Sequence, residues 1–116
     1  MDDPNQDNVV LFVDDEEKTR KYFTRLFGDK FKIAVAVDGM HALEVFKEKI
    51  DNIAVVVTDQ RMPNMTGSQL LEKVSELKPS CIRMLSTAYA DIDTAIEAVN
   101  TGGLYQYITK PWEVND

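Results

Sequence analysis

Three carboxylates, two hydroxyls and an ammonium stand where apolar runs of this chain stop: Asp14-Asp15 after VVLFV, Asp59 after IAVVVT, Ser86-Thr87 after CIRML, and Lys110 after LYQYIT. Gathered in one place, these groups have a definite chemistry. Two carboxylates ~4 Å apart repel by about 4 kcal/mol at an effective dielectric near ~20, so three of them need an offsetting charge. A hard divalent cation such as Mg2+ supplies it through oxygen ligands alone, commonly a carboxylate or two completed by water or phosphate. Hydroxyl, ammonium and metal together make an anion site, and a carboxylate beside them can act as a nucleophile toward a phosphoryl group.

Such a gathering requires elements that carry distant residues to one edge. Val9 to Val13 and Ile53 to Val57 are continuous, β-branched-rich apolar runs, the pattern of strands buried on both faces. Phe31 to Val37, Cys81 to Leu85 and Leu104 to Ile108 are shorter or broken by polar residues and read as strands nearer the sheet edges. Between them lie four stretches of helical period, marked by Tyr22, Phe23, Leu26 and Phe27; by Leu43, Phe46 and Ile50; by Leu70, Leu71, Val74 and Leu77; and by Ile92, Ala95, Ile96 and Val99. Asp38-Gly39 and Thr66-Gly67-Ser68 are helix starts, while Gly28, Pro79 and Gly102-Gly103 are stops. Strict alternation with short links predicts an α/β fold: a doubly wound, five-stranded parallel sheet in the flavodoxin-like order 2-1-3-4-5. In that order the chain reverses between strands 1 and 3, and ligands bind at their carboxyl ends. Asp14, Asp15 and Asp59 fall at that crevice.

Each of these residues also has an ordinary structural use. Asp14 and Asp15 could cap the first helix, Asp59 a turn, Thr87 could bond locally, Lys110 could be a surface lysine, and Tyr107 a core aromatic. Their joint placement at the ends of four successive strands favours the chemical reading.

Composition narrows the field. The 116 residues carry 13 Lys and Arg against 20 Asp and Glu, a net charge of −7, so nucleic-acid backbone and anionic lipid are repelled and neither is expected as a direct partner. One cysteine, Cys81, cannot form an internal disulfide and reads as a small apolar strand residue; the lone His41 reads as a solvated helix residue. No apolar run approaches the ~18 to 20 residues of a membrane span, and the opening MDDPNQDN is acidic where a signal peptide is basic and then apolar. A cytoplasmic protein is expected, with a polar tail over 1–8 and one domain over 9–116.

The motifs LFVDDEE (11–17), VTDQRMPNMTG (57–67), LSTAYAD (85–91) and YITKPW (107–112), in this order and spacing, resemble the receiver domain of two-component response regulators. The resemblance implies that Asp59 accepts a phosphoryl group from a phosphohistidine of a sensor histidine kinase. It implies Mg2+ held directly by Asp15 and Asp59, through water by Asp14, and by the backbone carbonyl of Arg61. Lys110 and Thr87 would bind phosphoryl oxygens, Tyr107 would turn inward when Thr87 moves, and the Lys110-Pro111 bond would be cis. Tyr89 and Arg61, both bulky, stand where side chains can shield the acyl phosphate, so a long-lived phosphorylated state is expected. Such a domain catalyses its own phosphorylation and dephosphorylation without being a turnover enzyme.

One departure from the family pattern stands out: after KPW the family continues with a fifth helix, and no fifth helical pattern is found here. Either the domain is cut before that helix, with an output domain further along a longer response regulator, or the groove it would cover is filled by a partner or a second copy. A cut domain should expose apolar surface on the first helix and fifth strand. Helix 4 and DQRMP look most like receivers joined to cyclic-dinucleotide phosphodiesterase, kinase or transcription-activator modules, without choosing among them. A small phosphatase with Asp59 as nucleophile would want a general acid two residues on, where Arg61 stands and cannot serve. An interaction module that has lost phosphorylation is opposed by the complete set Asp14, Asp15, Asp59, Thr87 and Lys110. A nucleotide-binding relative of the fold is opposed by DDEEKTR in place of a glycine-rich loop.

Overall fold

The computed structural model describes residues 9–87 and 106–109, with Thr87 and the final strand described by their backbone. The elements are β1 (Val9–Val13), α1 (Glu17–Phe27), β2 (Lys32–Ala36), α2 (Gly39–Glu48), β3 (Ile53–Asp59), α3 (Gly67–Leu77), β4 (Ile82–Thr87) and β5 (Gln106–Thr109). They form one parallel sheet in the order β2-β1-β3-β4-β5, as the alternation predicted. Boundaries differ from expectation by a residue or two: β3 runs on to Asp59, β4 spans Ile82–Thr87 rather than 81–85, and β5 starts at Gln106 rather than Leu104. The helical pattern of Ile92, Ala95, Ile96 and Val99, and the question of a fifth helix, fall outside the described residues.

Side chains of β1 alternate between two cores, which is why the run is apolar at every position. Leu11 and Val13 pack with Phe46, Leu70, Leu71 and Val74 under α2 and α3. Val10 and Phe12 pack with Phe23 and Val57 under α1. Phe12 and Phe23 stack with ring centroids 4.0 Å apart, tying α1 to the central strand.

That second core is shallow. Val10, Phe23, Phe27, Ile33, Val55 and Met84 line an apolar groove of about 750 Å3 beside α1, in which Phe23 is buried and Phe27 partly so. The side chains of the fifth strand, the other surface expected to be exposed, fall outside the described residues. Tyr22, counted in the apolar stripe of α1, is 44% exposed. It lies one residue, about 100°, around the helix from the buried Phe23, beyond the edge of the contact face.

The helix starts follow the residues expected of them. Asp38 accepts the His41 N–H at 2.8 Å to begin α2. Thr66 and Gln69 form a reciprocal capping box at α3. His41 does more than sit in solvent, since its Nδ1 accepts the Val37 N–H at 3.1 Å and closes the turn from β2. Cys81 is buried one residue before β4, and burial raises its thiol pKa above the usual value.

Candidate functional site

β1 and β3 are neighbours, so the residues at their carboxyl ends meet. Asp14, Asp15 and Asp59 each bring a carboxylate oxygen to within 4.8 Å of the others. At that separation each pair repels by roughly 3 kcal/mol at an effective dielectric of about 20, the size of effect a bound cation would reverse.

Asp14 is fully buried although it is ionisable. Its N–H donates to the Ala36 carbonyl at 3.2 Å and its carboxylate accepts the Glu16 N–H at 2.9 Å. The Arg20 guanidinium reaches back from α1 to donate to the Asp14 carbonyl at 2.8 Å, tying the helix to the end of β1. Helix capping does not explain these aspartates: the N-cap of α1 is Glu16, without a side-chain cap bond. Asp15 is exposed and Asp59 half-buried, so the cluster opens outward from a buried base.

The loop after Asp59 is closed by the start of α3. Gly67 N–H donates to the Gln60 carbonyl at 3.0 Å. A Cβ on Gly67 would overlap the Asp59 carbonyl oxygen and sit 2.8 Å from Leu85 Cδ1, so glycine is needed for helix and strand to approach this closely. Thr58 Oγ1 donates to the same Asp59 carbonyl at 3.0 Å. Within the loop Asn64 takes a left-handed φ of 70°, Met65 N–H donates to the Pro63 carbonyl at 2.8 Å, and Met62 is buried. Arg61 is exposed at the mouth of this loop.

The sheet register carries the rim onward. Asp59 pairs with Ser86, Thr87 with Thr109, and Leu85 with Tyr107. The Thr87 backbone therefore stands one residue beyond the partner of Asp59, opposite the residue that precedes Lys110. Lys110, Pro111 and Tyr89 fall outside the described residues, as do the side chains of Thr87 and Tyr107.

Two polar residues at the site escaped the sequence reading, Arg20 and Gln60. Arg20 looked like one of several cations on a helix face. Gln60 is buried directly after Asp59, and its Oε1 accepts from both the N–H and the Oγ of Ser68 at 2.8 Å. Its place directly after the strand-ending Asp59 was the available signal.

Comparisons with known proteins agree with this arrangement. The hydrogenase transcriptional regulatory protein HoxA of Bradyrhizobium diazoefficiens is 33% identical over 105 residues, 90% of this chain but 21% of that protein. The transcriptional regulatory protein FixJ of Rhizobium meliloti is 34% identical over 110 residues, 92% of this chain and 52% of that one. The chain thus spans well under two thirds of either relative. Among solved structures, a response regulator receiver domain protein from Clostridium thermocellum superposes with a TM-score of 0.85 at 28% identity, covering 91% of this chain and 84% of that one. The family model for the response regulator receiver domain matches residues 10–116. Sheet order, acidic crevice and a family match over nearly its whole length thus agree, and the chain belongs to the response regulator receiver domain family.

Proposed function

We propose that this receiver is a phosphorylation-dependent switch with Asp59 as its phosphoacceptor. The observation that carries the reading is the convergence of Asp14, Asp15 and Asp59 at the crevice between β1 and β3. An oxygen of Asp59 attacks the phosphorus of a phosphohistidine on a sensor histidine kinase, and the P–N bond breaks. Its electron pair stays on the imidazole, which leaves as the neutral ring with the proton on its other nitrogen, and an acyl phosphate remains on Asp59. The half-buried position of Asp59 suits this role, because the carboxylate is held by the strand end yet open to an incoming phosphoryl group.

The donor set fits Mg2+: hard oxygens only, one carboxylate buried as a fixed base and two facing outward with room for water or phosphate oxygens. Asp15, Asp59 and the Arg61 carbonyl would hold it directly, and Asp14 through water. When bound, Mg2+ neutralises charge on the transferring phosphoryl group. Lys110 pairs with one phosphoryl oxygen, and Thr87 moves to bond another. Tyr107 turns inward as Thr87 leaves its place, which carries the change in charge at Asp59 to the face around β5.

The same reading makes the chain a cytoplasmic signalling domain rather than a turnover enzyme, with residues 9–116 as the receiver and 1–8 as a polar tail. Its output is carried by an output domain of a longer response regulator or by a partner protein. A second copy of the chain is a further candidate for the groove beside α1. No described helix is long and apolar enough to cross a membrane.

Intact mass after incubation with acetyl phosphate tests the proposal. A single phosphoryl adduct that requires Mg2+ and is lost in Asp59→Asn is expected. A folded protein that binds Mg2+ but gains no adduct would overturn it.

A further inference from the structure

We propose that Gln60 is a positioning residue for the metal site, fixing where the Arg61 carbonyl points by clamping α3 to the strand that ends in Asp59. The inference rests on the reading above, in which that carbonyl is an ion ligand.

A helix leaves its first N–H groups without partners inside the helix. At α3 two of them are taken by one residue outside it. Gly67 N–H donates to the Gln60 carbonyl at 3.0 Å, and Ser68 N–H donates to Gln60 Oε1 at 2.8 Å. The Ser68 hydroxyl adds a third bond to the same Oε1 at 2.8 Å. Because a backbone N–H can only donate, the amide must face Ser68 with its oxygen, so the orientation of the Gln60 side chain is determined.

The carbonyl that Gly67 engages belongs to the peptide plane joining Gln60 to Arg61. Fixing that plane fixes the nitrogen of Arg61 and leaves the Arg61 carbonyl only that residue's own two dihedrals in which to move. The middle of the loop is held by buried Met62 and by the Met65–Pro63 turn. Side chain and main chain of Gln60 thus tie the first residue of the loop, which adjoins Asp59, to the start of α3. A local helix cap such as Thr66 also stabilises α3 but does not touch this peptide plane. A residue that only stabilised the helix would change melting temperature without changing ion affinity, which separates the two roles.

The test is a Mg2+ titration of the purified protein by calorimetry, with amide hydrogen exchange at Ser68 and thermal melting measured alongside. Gln60→Met keeps the shape and loses the acceptor; its Mg2+ dissociation constant should rise about 10-fold, the scale on which outer-shell partners tune a metal. Gln60→Glu keeps an acceptor for Ser68 and should retain wild-type affinity or better, with Ser68 still protected. Thr66→Ala should lower the melting temperature and leave affinity within about twofold, well short of the ~10-fold outer-shell effect. Unchanged Mg2+ affinity in Gln60→Met, a tenfold loss in Gln60→Glu, or an equal loss in Thr66→Ala would each overturn the proposal. Should Gln60→Met not fold, Gln60→Leu, which likewise lacks the acceptor for Ser68, takes its place in the titration with the same expected loss. A wild-type protein that folds but binds no Mg2+ overturns the metal reading, and this one with it.

Discussion

Gly67→Ala puts the packing of the site to a quantitative test. The new methyl would overlap the Asp59 carbonyl oxygen, lie 3.0 Å from the Asp59 carbonyl carbon and sit 2.8 Å from Leu85 Cδ1. Carbon contacts relax at about 3.5 to 4.0 Å, so α3 and the end of β3 must separate by roughly 1 Å. Leu85 is fully buried in the α2–α3 core, so its side chain is hemmed in by packed neighbours. Overpacking of this kind typically destabilises by about 1 to 3 kcal/mol. At about 4 °C per kcal/mol for a domain of this size, the melting temperature should fall by roughly 4 to 12 °C. Asp59 also moves with its own backbone, and under the proposed role of Asp59 as phosphoacceptor a displacement of ~1 Å there would slow phosphorylation about 100-fold. Thermal melting and the rate of adduct formation from acetyl phosphate read the two effects separately. A variant that melts within 2 °C of wild type and phosphorylates at the same rate would refute the close approach and the reasoning built on it.

Asp59→Asn should stabilise the Mg2+-free protein by about 1 kcal/mol, the repulsion being discounted because Asp15 is exposed and Asp59 half-buried, and saturating Mg2+ should cancel the gain; chemical denaturation with and without the ion reads this. Phe12→Ala removes a fully buried ring stacked on Phe23 and should cost about 3 to 5 kcal/mol, seen in the same assay. Burial holds the Cys81 thiol above its ordinary value of 9.0, so its neutral form contributes stability below that pH, and the contribution is lost as pH rises through the folded-state value. Denaturation midpoints should therefore decline on the alkaline side less steeply in Cys81→Ala, and a thiol reagent should label Cys81 quickly only in urea.

Much of the site was legible because its residues are read one at a time along strands. A buried run that ends in Asp is visible in VVLFVDD and IAVVVTD, and alternation with helices leaves few sheet orders to consider. Helix starts at Asp38 and Thr66 were equally plain, since a cap is a local bond across three residues. What escaped notice acts across elements. Arg20 reads as one more cation on a helix until α1 folds back over Asp14. Tyr22 counts as part of an apolar stripe until the limits of the contact face are known. His41 reads as solvated until the turn from β2 brings the Val37 N–H to its ring.

The amino-acid sequence by itself determined the alternating elements, the apolar central strands and the carboxylates at their ends, because burial periodicity and turn chemistry act over a few neighbouring residues. Only the tertiary structure decided which of these groups touch. Gln60 meets Ser68 eight positions away, and Gly67 lies against Asp59 without a side chain between them, because the loop doubles back to begin α3. The three carboxylates come within 4.8 Å of one another because parallel pairing of β1 with β3 sets two distant strand ends side by side.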